Sequence, residues 1–362
     1  MSISLTRAIQ LLLFLFLLFT GLHYARSFLI PVTFGALFAM LLEPISERLE
    51  RRMSRAAAIA ICITMLLLIV AGVFTLISWQ VADLASDATK IEQELTKNIS
   101  KLREQITTNL GISEQKQKEI IQSQQSSESG KTAAMFTAAL NSVGGILANS
   151  LLVLVYIFLF LYFRDRMKNF VLKVADARGK NEARQTMEQS RKVAQKYLSG
   201  LAMMIFCLWI LYGIGFSIVG VKNALFFAVL CGLLEIVPFI GNLTGTLLTC
   251  LMVMAQGGTP GMLIGVLCIY AFVQTFQSYV LEPLVVGSNV NINPLFTIVI
   301  IVFGEFIWGI PGMILAIPLL GIVKIICDHV PGLQPVAYLV GEDEKESSSK
   351  WVEKIKGLFS KR

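Results

Sequence analysis

Residues 56–79 read AAAIAICITMLLLIVAGVFTLISW, a stretch without one charged side chain. As an α-helix it would measure roughly 36 Å, enough to cross a hydrocarbon core of about 30 Å. A soluble core has no use for an uncharged run of that length, so this stretch settles the solvent: the chain is built for lipid. Trp79 closes the run at the boundary that indole favours, and Arg48, Arg51, Arg52 and Arg55 stand just before it.

Working outward, similar runs lie on both sides. Ala8–Leu22 follows Arg7. Its exit, Gly21-Leu-His-Tyr-Ala25, lacks a small-x-small cleavage pattern and a second run follows at once, so it reads as an uncleaved first span. The second run, Phe28–Leu42, carries Pro31 in its first turn, where proline is tolerated, and ends at Glu43-Pro44. Further runs occupy Val143–Phe163, Leu201–Val219 and Met262–Leu281; Gly213 and Gly215 in the second of these permit close helix packing. Only 15% of the 362 residues are charged, against about 25% in soluble domains. The expected fold is an all-α integral membrane protein of about eight transmembrane segments with an extramembrane helical hairpin.

That hairpin is the polar insert 80–140. Leu84, Ala88, Ile91, Leu95, Ile99, Leu102, Ile106 and Leu110 recur at a spacing close to 3.67 per turn, which continues the third span as one amphipathic helix until Gly111. Residues 113–129, rich in Gln, Ser, Lys and Glu, return as a helix or loop. A solvated hairpin, without catalytic role, is the reading. The other divisions are 1–79, an N-terminal set of spans; 141–200, a span and a basic segment; 201–327, a transport region; and 328–362, a tail. In the tail Trp351, Val352, Ile355, Leu358 and Phe359 share one face among lysines, as in a helix lying on a membrane surface.

Charge sets the orientation. Residues 164–200 hold ten Lys/Arg and the longer stretch 80–140 holds seven. The denser segment, the Arg48–Arg55 loop and both termini are therefore expected in the cytoplasm, with 80–140 outside. The net charge of +7 fits loops facing anionic lipid better than nucleic acid. The six cysteines form no C-x-x-C pair and the only histidines are His23 and His329, so no metal or other cofactor is expected. There is no H-E-x-x-H, G-x-S-x-G or P-loop, and no enzyme is expected.

The last third differs in having short, punctuated runs. Residues 224–255 break at Pro238-Phe-Ile-Gly241-Asn242, and 295–326 break at Gly309-Ile-Pro311-Gly312. Each arm holds 13 or 14 apolar residues, roughly 20 Å, short of a full crossing. Each pair is either two thin spans or a re-entrant hairpin. Backbone groups freed by Pro238, Gly241, Gly309, Pro311 and Gly312 persist at membrane depth only where protein or a wet cavity meets them, and half-helix ends offer partial charges to a solute. Each unit also carries a lone carboxylate, Glu235 or Glu305, a loose echo of inverted-repeat transporters. A carboxylate in an apolar segment is ordinarily paired, protonated or wet: a proton or cation site on one reading, an acceptor for the broken backbone on the other. Glu282 sits at a span end, as a site or an interfacial cap. Asn242, Gln274, Gln277 and Asn293 are candidate ligands for a polar solute, Gln274 and Gln277 lying three apart on one helical face; each also suits interhelical packing.

These stretches carry a resemblance. Gly232-Leu-Leu-Glu-Ile-Val-Pro-Phe-Ile-Gly241, Leu281-Glu-Pro-Leu-Val-Val-Gly-Ser288, Ile292-Asn-Pro294 and Trp308-Gly-Ile-Pro-Gly312 running on to Ile317-Pro318 resemble the AI-2E family, over essentially the whole chain. The resemblance implies a bacterial inner-membrane secondary transporter, with members linked to export of the quorum signal autoinducer-2 and others to sodium–proton antiport, and a homo-oligomer, a pentamer among the forms it suggests. The expected function is export of a small polar solute, such as a quorum-sensing signal, coupled to a proton or cation gradient. The rivals are a Na+(Li+)/H+ antiporter and a membrane scaffold or sensor acting through the outward hairpin.

Single cysteines placed through 238–242 and 309–312 should react with a membrane-impermeant maleimide, from a side that labelling of intact cells against inverted vesicles identifies. Unreactive cysteines in both loops would remove them as solute sites.

Overall fold

A computed structural model describes residues 5–86, 150–175, 180–237, 240–286, 292–330 and 332–341. The expected hairpin beyond residue 86 and the amphipathic tail from 342 lie outside these residues. The described elements are helices: α1 Leu5–Tyr24, α2 Arg26–Glu50, α3 Arg55–Ser86, α4 Ser150–Tyr162, α5 Arg164–Val174, α6 Lys180–Val219, α7 Ala224–Leu234, α8 Ile240–Ala255, α9 Pro260–Phe276, α10 Pro294–Trp308, α11 Ile310–His329 and α12 Gln334–Val340. Beyond α9 the chain winds on as a π-helix over Gln277–Val286. Among the described residues no strand forms; Ile292 and Gly341 make an isolated antiparallel bridge.

Among the described residues five helices are long and apolar enough to cross a bilayer: α2, α3, α6, α11 and the α9 helix with its extension to Glu282. Five more, in α1, α4, α7, α8 and α10, are apolar and shorter. Their outward faces carry Leu12, Phe16, Leu68, Ile218, Leu225 and Phe306, all exposed. Apolar surface on that scale is what lipid covers.

The chain packs as two compact units. One comprises the described parts of Met1–Leu66, Asn149–Met204 and Tyr279–Arg362; the other, those of Leu67–Ala148 and Ile205–Ser278. In the first, Ala39 and Leu42 of α2, Ile59 and Cys62 of α3, and Ile157 and Leu161 of α4 bury one another. Gly35 lets α2 and α4 meet, since a Cβ there would lie 2.5 Å from that of Tyr156. One end of this unit is ionic. Arg191 of α6 meets Glu43 of α2 at 2.9 Å, Arg164 meets Glu50 at 2.7 Å, and Arg55 meets Asp165 at 2.6 Å.

Four expectations about lengths change. The second run does not stop at Glu43-Pro44, because α2 carries Pro44 within it as far as Glu50. The basic segment before residue 201 is no simple link: α5 occupies part of it, and α6 starts at Lys180 and runs for 40 residues, roughly 60 Å. The run expected to end at Leu281 continues past Glu282-Pro283. Pro283 has no N–H for an α-helical bond, and wider π winding accommodates that loss. Finally, the last arm is not short. α11 is a continuous 20-residue helix with Pro311 in its first turn and Gly312 inside it, roughly 30 Å long. The chain breaks at Gly309 alone.

Gly309 has φ +67° and ψ −146°, a region close to glycine-only backbone. It turns the chain so that α10 and α11 pack as a hairpin. A Cβ on Gly312 would sit 1.9 Å from the Gly304 carbonyl oxygen, and one on Gly304 would sit 2.5 Å from that of Gly312. Gly312→Ala should therefore cost about 1–3 kcal/mol by overpacking, read as a lower melting midpoint in detergent. Gly72→Ala, where a Cβ meets nothing within 4 Å, should leave the midpoint in place.

Candidate functional site

The second unit is drawn together by small residues. Trp209 of α6 donates from Nε1 to Val229 O of α7 at 3.2 Å, and its ring lies over Gly232, where a Cβ would meet it at 2.4 Å. Gly215 receives Ile269 of α9, and Gly265 receives Val219 of α6, each too closely for a Cβ. Gly245 of α8 lies against Cys231 of α7.

α7 is only 11 residues long, roughly 16 Å. Tight turns follow it: Ile236 N–H donates to Leu233 O at 3.1 Å and Val237 N–H to Leu234 O at 2.9 Å. The start of α8 then tucks back on the end of α7. A Cβ on Gly241 would lie 1.6 Å from Leu234 O, so no side chain fits there. Gly241 serves that approach. Pro238, with Phe239, lies outside the described residues.

This return places two polar chains among apolar helices. Glu235, at the end of α7, is 8% exposed and accepts from Gln277 Nε2 at 2.6 Å. Gln277 is 1% exposed and opens the π-helical stretch. Asn242, in the first turn of α8 and 3% exposed, accepts from Tyr212 Oη at 2.7 Å and donates from Nδ2 to Gln274 Oε1. Gln274 of α9 and Gln277, the first residue of the π-helical stretch that continues it, are one turn apart, so one helix face serves both Asn242 and Glu235. Thr246 follows Asn242 by one turn on α8 and is 2% exposed. Its hydroxyl has no hydrogen-bond partner among the described residues, whereas Thr249 donates to Gly245 O at 2.8 Å in the usual helical manner.

Charge is sparse among the described residues of this unit. Its described residues hold one basic side chain, Lys222, and two acidic ones, Asp83 and Glu235. The polar chains themselves contain one carboxylate, three amides and a phenol, with no cation among them. Such a set offers mostly oxygen acceptors and amide donors, suited to hydroxyls, amides or a hard cation.

Of the residues singled out from sequence, Glu235, Asn242, Gln274 and Gln277 come together, with Gly241 closing the turn beside them. The other described ones belong to the first unit. Asn293 caps α10, its Oδ1 accepting from Leu295 N–H at 2.9 Å. Glu282 is exposed on the π-helical stretch, and Glu305 is exposed on α10. Gly309, Pro311 and Gly312 build the α10–α11 hairpin. Its tip is held by the end of α1: Trp308 Nε1 donates to Leu22 O at 3.0 Å, and His23 Nδ1 lies 3.1 Å from Ile307 O. The loose echo between the two broken pairs thus reflects different local structures, a tight return at 235–241 and a single glycine turn at 309. Tyr212 and Thr246 were missed by sequence reasoning. Tyr212 stood as the lone tyrosine of an apolar run, and Thr246 at helical spacing from Asn242; those were the only signals.

Comparison with known proteins decides the family. The protein-family model described as "AI-2E family transporter" matches residues 12–332. This chain belongs to the AI-2E transporter family. Among its relatives, "Putative transport protein YhhT" of Escherichia coli (strain K12) is 24% identical over 336 residues, covering 92% of this chain and 93% of that protein. "Putative transport protein YueF" of Bacillus subtilis (strain 168) is 24% identical over 320 residues, covering 83% and 84%. With its apolar helices, this AI-2E member is a multi-pass membrane transport protein.

Within this unit, Tyr212→Phe strips Asn242 of a donor in a buried setting and should cost about 1–3 kcal/mol. Gln277→Leu leaves a carboxylate without its amide and should cost more. Thermal melts in detergent check both.

Proposed function

We propose that this protein is a secondary transporter of a small polar solute, neutral or cationic, and that Glu235 exchanges the coupling proton or cation. One observation carries the reading: a buried carboxylate held by an amide, beside polar chains that include no cation. A carboxylate in an apolar segment is ordinarily paired, protonated or wet, so a proton or a cation is the partner it would exchange. Anionic solutes are disfavoured beside a carboxylate, and the described polar side chains around it bring no cation to offset a second negative charge. Gln274, Gln277, Asn242, Tyr212 and Thr246 would supply hydrogen bonds to the solute. Glu282, Asn293, Glu305, Gly309, Pro311 and Gly312 support the fold on this reading.

The remaining parts follow the same reading. α7 and α8 enter and leave the bilayer from one side, because α7 spans about half of a 30 Å core. α10 and α11 cross it as a pair, supported by the hairpin tip meeting the end of α1. The Lys/Arg distribution supports termini in the cytoplasm and residues 80–140 outside, in a bacterial inner membrane. Export of a quorum-type signal, and a homo-oligomer such as a pentamer, rest on the family resemblance. A second reading, Na+(Li+)/H+ antiport, is favoured by one observation: the acceptors around Glu235 are oxygens, as hard cations require.

Flux into proteoliposomes, with and without an imposed pH gradient, tests the reading with radiolabelled neutral polyols, sodium and carboxylates as probes. Gradient-dependent flux should occur for a neutral or cationic probe and fall about tenfold or more in Glu235→Gln, equivalent to roughly 1.4 kcal/mol of lost coupling. Glu305→Gln should stay close to wild type. Wild-type flux in Glu235→Gln, or transport confined to carboxylates, would overturn it.

A further inference from the structure

α5 has no part in the polar site, and its surface is unlike that of a solvated helix. No residue of α5 is buried. Met167, Phe170, Val171 and Val174 are 46%, 67%, 39% and 69% exposed. They recur at i, i+3, i+4 and i+7, which makes one continuous stripe. At 100° per residue, Arg164 and Lys168 fall along one edge of that stripe, and Arg166 and Lys173 fall along the other. The one acidic residue of α5, Asp165, falls on the opposite face and is bonded to Arg55.

The location of α5 is equally constrained. α4 passes into α5 through Phe163 alone, whose N–H donates to Leu159 O at 2.9 Å and whose C=O accepts from Met167 N–H at 3.0 Å. The helix therefore begins where an apolar membrane helix ends. Its first turn is fixed to the α2–α3 turn by Arg164–Glu50 and Arg55–Asp165, and Arg51 and Arg52 stand exposed in that turn. Met167 and Val171 also border a cavity of about 970 Å³ that Met40 of α2 and Met187 of α6 line together with charged side chains such as Glu43, Arg191 and Lys192.

The geometry points to α5 as an interfacial helix that lies on the membrane and binds anionic phospholipid headgroups. The apolar stripe enters the acyl boundary, and Lys168 on one edge and Arg166 and Lys173 on the other meet phosphates at the level of the headgroups. Basic side chains on both sides of an apolar stripe match a negatively charged bilayer surface. A protein partner would need to present acids on two parallel lines with apolar groups between, and a solvated helix has no use for Phe170 and Val174.

Hydrogen–deuterium exchange of the full-length protein in nanodiscs tests this, comparing phosphatidylcholine alone with phosphatidylcholine plus phosphatidylglycerol. Amides of 164–174 should exchange more slowly with phosphatidylglycerol, by roughly fivefold for each cation engaged, and high salt should erase the difference. A combined Arg166→Gln, Lys168→Gln and Lys173→Gln variant should lose the lipid dependence, and Phe170→Ser should speed exchange in both lipids. Unchanged exchange in α11 reports that each variant is folded. Equal exchange in the two lipids would overturn the assignment: if fast, α5 is solvated; if slow, protein covers it.

Discussion

Holding the Glu235 carboxylate out of water costs several kcal/mol, and the structure opposes that cost with the neutral amide of Gln277 at 2.6 Å. Much of the second unit is arranged around that contact. Because the amide comes from Gln277, α9 must present its glutamine face to the end of α7. The carboxylate comes from the end of the 11-residue α7, and the start of α8 tucks back beside it. Asn242, Tyr212 and Gln274 then complete a second polar chain next to the first.

Close helix approach makes this possible. Gly241, Gly232, Gly215 and Gly265 each face a neighbouring chain at a distance no Cβ would allow. In lipid, where apolar burial gives helices little reason to associate, such contacts and interhelical hydrogen bonds supply the adhesion. The first unit uses the same device at Gly35, Gly304 and Gly312, and adds ion pairs at its charged end. α6 contributes to both chemistries. Its N-terminal half carries Arg191, paired with Glu43, and its C-terminal half carries Trp209 and Tyr212.

Membrane residence, helical class and most helix positions were legible in the sequence, because a long uncharged run such as 56–79 is at home only in lipid. Lengths were harder. Pro44 and Pro311 read as stops, yet one rides inside α2 and the other sits in the first turn of α11, where its missing N–H would have had no intrahelical partner anyway. The four polar residues that converge, Glu235, Asn242, Gln274 and Gln277, were legible as polar groups in apolar runs. Their pairing was not, since it depends on how α8 folds back on α7 and on which α9 face turns inward. Glu305 and Glu235 looked alike in sequence; burial separates them, with Glu305 exposed on α10 and Glu235 enclosed.

The central proposal, that Glu235 exchanges the coupling proton or cation, is tested most directly by whether its carboxyl group takes up a proton. Infrared difference spectroscopy of the purified protein across a pH titration measures this directly, through the C=O stretch of a protonated carboxyl group. The account predicts a titrating band in wild type that is absent in Glu235→Gln and kept in Glu305→Gln. A band unchanged in Glu235→Gln, or no Glu235-dependent band at any pH at which the protein stays folded, would contradict it.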